Sequence, residues 1–123
     1  MINHESREIL VVDDDADLRE TLQLLLDDSG YGVTAVANGQ AALDRLKAGD
    51  RPSLILLDLM MPEMNGWQFL ERAQADAVLD SIPVVIMTAR KKGELLPAPS
   101  KQVLHKPFDS DELLKTIARH AAA

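Results

Sequence analysis

Short apolar runs alternate along the chain with stretches whose apolar positions recur every three or four residues. Ile9 to Val12 reads as a buried strand, and Leu18, Leu22, Leu25 and Leu26 then lay one stripe along a helix that Gly30 stops. Val33 to Val36 is a second, shorter strand. Asn38-Gly39 turns the chain into a helix carrying Ala42, Leu43 and Leu46, ended by Gly49. Ser53 to Leu57 is almost wholly apolar, as a strand is when both faces of a parallel sheet are covered. Beyond the loop Met60 to Asn65, Trp67, Leu70 and Ala73 mark a third helix face. Pro83 opens a fourth strand, where a missing N–H is tolerated, and Gln102 to His105 forms a fifth. The last helix starts at Asp109, with Glu112 completing a capping box and Leu113, Leu114, Ile117 and Ala118 expected inward.

This β–α alternation predicts an α/β fold: a parallel sheet with right-handed crossovers and helices on both faces. One connection breaks the rule. Between the fourth and fifth strands, Lys91-Lys92-Gly93 leads a stretch that Pro97 and Pro99 interrupt, leaving room for only a turn of helix between Gly93 and Leu96.

Each strand that matters ends in a polar residue. Asp13-Asp14 follows ILVV, Asp58 follows LILL, Thr88 follows VVIM, and Lys106 follows QVLH. In open α/β sheets ligands bind beyond the carboxyl ends of the strands, so these side chains converge on one edge. Three carboxylates there suit magnesium, which takes one or two carboxylates plus phosphate oxygens. An aspartate can act as nucleophile to give an acyl phosphate, with a hydroxyl and an ammonium for the phosphoryl oxygens. Taken singly, the residues have plainer readings: Asp13 and Asp14 as helix caps aided by Asp15 and Asp17, Thr88 as a strand-end hydroxyl, Lys106 as a solvated loop charge. The ordered set carries the argument.

Composition narrows the field further. A chain of 123 residues, 46% hydrophobic and 27% charged, is one ordinary globular domain, and its net charge of −7 argues against direct nucleic-acid or anionic-membrane binding. Without cysteine there are no disulfides or thiolate metal sites. The amino terminus, MINHESRE, lacks the apolar stretch of a secretory signal, and no apolar run approaches a membrane span, so a cytoplasmic location is expected.

VVDDD, LILLDLMMPEMNG, VIMTA and HKPF, in that order, resemble the motifs of the response-regulator receiver domain of two-component signalling, and the resemblance spans roughly residues 8 to 120. It implies a flavodoxin-like (βα)5 three-layer sandwich with strand order 2-1-3-4-5 and a shortened or irregular fourth helix. By position it implies Asp58 as phosphoacceptor, and Mg2+ held by Asp13, Asp14, Asp58 and the backbone carbonyl of Met60. Thr88, Ala89 and Lys106 would bind the phosphoryl group, Pro62, Gly66 and Pro107 would shape the site, and the Lys106–Pro107 bond would be cis. Val103 departs from the family, which usually places an aromatic rotamer switch there.

The implied function is a phosphoacceptor signalling switch of a two-component system or phosphorelay. A sensor histidine kinase or histidine phosphotransfer protein would donate to Asp58, and the change would alter binding to a downstream protein. Residues 1–123 are read as a single receiver domain without an output domain, monomeric or weakly dimeric. It would be no general enzyme, catalysing only its own phosphorylation and dephosphorylation. Two rival readings stay open: a haloacid-dehalogenase-type phosphatase, which Asp17 and the lack of room for a cap disfavour, and a degenerate receiver that only binds.

Overall fold

Five parallel strands form the centre of the molecule, in the order β2-β1-β3-β4-β5. They are β1 (Glu8–Val12), β2 (Gly32–Val36), β3 (Leu54–Asp58), β4 (Val84–Thr88) and β5 (Gln102–His105). The computed structural model describes residues 8–59, 61, 66–89 and 102–120. The helices are α1 (Ala16–Asp28), α2 (Gly39–Lys47), α3 (Gly66–Gln74), α4 (Ala77–Asp80) and α5 (Ser110–His120). The expected parallel sheet and strand order are therefore present. The Gly93–Leu96 turn of helix, with Arg90, Lys91, Lys92 and Lys101, lies outside the described residues, as do Met60 and Pro62.

Strand alternation sorts the core into two layers. Leu10, Val12, Ile55, Leu57 and Ile86 pack with Leu43, Leu46, Phe69 and Leu70 of α2 and α3 on one face. Ile9, Val11, Leu54, Leu56, Val85, Met87 and Leu104 pack with Leu22, Leu26, Leu113 and Ile117 of α1 and α5 on the other. Successive residues of a strand point to opposite faces, so a strand buried on both reads as continuously apolar.

Local chemistry sets the helix ends. The Asp15 side chain caps α1 by accepting from the N–H groups of Asp17 and Leu18, and Asn38 caps α2 through the N–H of Ala41. Gly30 follows α1 with φ of 91°, the left-handed conformation that ends a helix most easily with glycine. Asp109 accepts from the N–H of Glu112 at the start of α5.

One expectation needs correction. Ala118 is exposed rather than inward, and Thr116 takes the buried place, its hydroxyl satisfied by donating to the Glu112 carbonyl at 2.8 Å. A single helical turn not expected from the pattern, Ala77–Asp80, precedes β4; it is capped by Asp76 and seated on Leu79.

Candidate functional site

Register places the acids side by side. Val12 pairs with Leu57, so the residues that follow, Asp13 and Asp58, emerge together at the carboxyl edge of the central strands. Asp13 continues the row of Ile9 and Val11, Asp58 that of Leu54 and Leu56, and Lys106 that of Leu104, all on the α1/α5 side. Thr88 belongs to the opposite row, with Val84 and Ile86, and Val103 pairs with Ile86 in that same row.

The four groups differ in environment. Asp13 is fully buried and Asp58 is 5% exposed, whereas Asp14 faces solvent. The Lys106 ammonium lies 2.8 Å from Asp13 Oδ2 and 3.6 Å from Asp58 Oδ1. Asp13 Oδ1 accepts from the N–H of Asp15 at 2.9 Å. Asp15 is thus the helix cap, while Asp13 accepts one bond from the turn and one from Lys106. Among the described residues no side chain or backbone group bonds the Asp14 carboxylate. The capping explanation therefore covers Asp15 and leaves Asp14 to solvent or to a ligand.

Asp13, Asp14 and Asp58 each offer a carboxylate oxygen, and these atoms all lie within 4.8 Å of one another. Hard oxygen donors at that spacing fit magnesium. Burial pushes the Lys106 pKa down, but the hydrogen bond and charge of Asp13, then of Asp58, outweigh it and hold the pKa above the ordinary 10.5. Lys106 is therefore a permanent cation at neutral pH.

Neighbouring backbone completes the edge. Thr88 is fully buried at the end of β4, and its carbonyl accepts from the Lys106 N–H at 2.7 Å. Ala89 follows it at the exposed rim, and the Lys106–Pro107 bond is cis. Gly66 opens α3 directly against β3. A Cβ there would sit 2.7 Å from Leu59 Cα and 2.8 Å from the Asp58 carbonyl oxygen, so only glycine admits this approach.

The chain matches the family model of the response regulator receiver domain over residues 9–118. It belongs to that family. Response regulator Rre1 of a Synechocystis species is 40% identical over 120 residues, which is 94% of this chain and 51% of the relative. Response regulator MprA of Mycolicibacterium vanbaalenii is 39% identical over 86% of this chain and 46% of its own length. The chain thus spans about half the length of the curated relatives it matches. Among solved structures, the Vibrio cholerae chemotaxis protein CheY4 superposes with a TM-score of 0.83 at 29% identity, covering 92% of this chain and 97% of that one. The receiver domain of a Pseudomonas aeruginosa sensor histidine kinase, with magnesium coordinated in its active site cleft, gives 0.82 at 27% identity, covering 93% and 96%. Receiver domains of this family are the phosphoacceptor switches of two-component systems.

Two features of this receiver edge escaped the sequence reading. Arg19, on the first turn of α1, donates to the Asp13 carbonyl at 2.8 Å. Phe69, fully buried, underlies the α3 face beside Leu70. A cavity of about 460 Å³ at the opposite edge is lined by Glu8, Thr34, Arg45, Asp50 and Arg51. Its arginines are already engaged, Arg45 with Asp50 and Arg51 with the carbonyls of Leu46 and Asp50. Among the described residues no helix is long and apolar enough to cross a membrane.

Proposed function

We propose that Asp58 is the phosphoacceptor of this receiver domain, and that Asp13, Asp14 and Asp58 hold Mg2+ with help from the Met60 carbonyl. The observation that carries the reading is the Lys106 ammonium set between the buried carboxylates of Asp13 and Asp58, with the exposed Asp14 alongside. When bound, the metal supplies charge neutralisation for the acids and for an incoming phosphoryl group.

The chain's own groups do the rest. An Asp58 carboxylate oxygen attacks the phosphorus of a phosphohistidine. The O–P bond forms as the P–N bond breaks, and the imidazole leaves with the bonding electrons and takes up a proton. Burial of Asp58 keeps bulk water from the acyl phosphate. Lys106 pairs with the phosphoryl oxygens and the Ala89 N–H can donate to them, both charge-assisted contacts that strengthen as negative charge gathers. The Thr88 hydroxyl is the group that reorients toward the new charge. The donor is a sensor histidine kinase or a histidine phosphotransfer protein. The loops around Thr88 then present a second arrangement, which a downstream protein prefers. The domain catalyses its own phosphoryl gain and loss and no other turnover.

Intact mass after incubation with Mg2+ and acetyl phosphate tests this. Wild type gains one phosphoryl group, labile to mild base and dependent on the metal, and Asp58→Asn gains none. A gain of the same size in Asp58→Asn would move the acceptor elsewhere.

A further inference from the structure

Asp13 is gripped through all of its polar atoms. Its N–H donates to the Val36 carbonyl at 3.1 Å, Oδ1 accepts from the Asp15 N–H, and Oδ2 accepts from Lys106. Its carbonyl accepts from the Arg19 guanidinium at 2.8 Å, across six residues of chain. The first bond belongs to the sheet, the second to the turn, and the third to the charge cluster. The fourth has no such account, because capping and packing of α1 do not require it.

The peptide unit is a rigid plane. Fixing the Asp13 carbonyl therefore also fixes the N–H of Asp14, and with it the direction in which Asp14 leaves the turn. Lys106 holds the carboxylates of Asp13 and Asp58 directly. Asp14, exposed, has its place set by its backbone alone. We infer that Arg19 is a positioning residue for the divalent cation: by holding the Asp13–Asp14 peptide, it aims the Asp14 carboxylate at the space shared with Asp13 and Asp58. The inference rests on reading those three acids as the magnesium site.

Charge and geometry make opposite forecasts for this residue. A guanidinium bonded to the Asp13 carbonyl adds positive charge near the site and so opposes a divalent cation, and its removal should tighten binding, by up to about fivefold for a screened charge near the surface. A lost orienting partner weakens metal binding by about 10–100-fold. If Arg19 positions Asp14, the second effect wins and the sign of the change reports it.

The experiment is calorimetric titration of Mg2+ into wild type, Arg19→Met and Arg19→Lys, with thermal unfolding of each in EDTA. Arg45→Met serves as a remote arginine control. Arg19→Met should raise the Mg2+ Kd about tenfold or more, with an EDTA unfolding temperature no lower than that of Arg45→Met. Arg19→Lys, which keeps a donor, should recover most of the affinity. An unchanged or lower Kd in Arg19→Met overturns the inference, as does equal weakening in both variants. Arg19→Gln is read in the same way if the methionine variant does not fold. A wild type that binds no Mg2+ removes the magnesium-site reading together with this inference, whereas a binding wild type beside an unaffected Arg19→Met removes this inference alone.

Discussion

At the scale of single residues, burial disfavours the Lys106 ammonium, Asp13 and Asp58 favour it, and the acids win. The folded pKa exceeds the unfolded value of 10.5, so the stabilisation from this charge is complete below pH 10.5 and is lost as pH rises through the folded pKa. Urea denaturation of wild type and Lys106→Met should differ by a roughly constant amount from neutral pH to about 10, and the gap should close at more alkaline pH. At neutral pH the variant should be the less stable by on the order of 3 kcal/mol, because two buried carboxylates lose their counter-charge. Gly66 provides a steric counterpart. Gly66→Ala sets a methyl against the Leu59 and Asp58 backbone, which cannot rotate away as a side chain would. A loss of about 1–3 kcal/mol is expected in the same assay, with slower phosphorylation because the end of β3 must shift.

At the scale of elements, the turn from β1 into α1 separates capping from chemistry. Asp15→Ala removes the cap and should cost about 1 kcal/mol while leaving phosphoryl uptake intact. Asp14→Ala should hold or gain stability, since it relieves repulsion among three acids, yet lose Mg2+-dependent uptake. Denaturation and intact mass on the same two proteins check both halves. Most elements were legible because periodicity is a local signal: the strands at 9–12 and 102–105 and the capping box at Asp109 could be read directly, the fourth strand was read one residue early from Pro83, and Asn38, read only as part of a turn, proves to be the cap of α2. What was missed had physical reasons. Ala77–Asp80 is a single turn and too short to show a period. Thr116 looked polar, but a hydroxyl bonded to its own helix is cheap to bury. Arg19 could not be found because its target is a backbone carbonyl, which every residue possesses.

At the scale of the whole molecule, metal binding and folding are linked. Mg2+ at 100 times its Kd should add about 2.7 kcal/mol to unfolding, and the thermal midpoint of Asp14→Ala should ignore it. Strand order was implied only by the family resemblance, since periodicity says nothing about which strands are neighbours. The convergence of Asp58 with Asp13 was likewise inferred from strand ends, and the register made it concrete. The ammonium that balances these acids comes from 93 residues further along the chain than Asp13. A ribosome delivers the two acids of β1 and β3 long before the lysine. Until β5 docks, a nascent chain carries the negative charges without their counterweight, and a cut anywhere ahead of residue 106 leaves it so. The charge balance of the site is thus a property of the completed sheet, which no piece of the chain ending before Lys106 possesses.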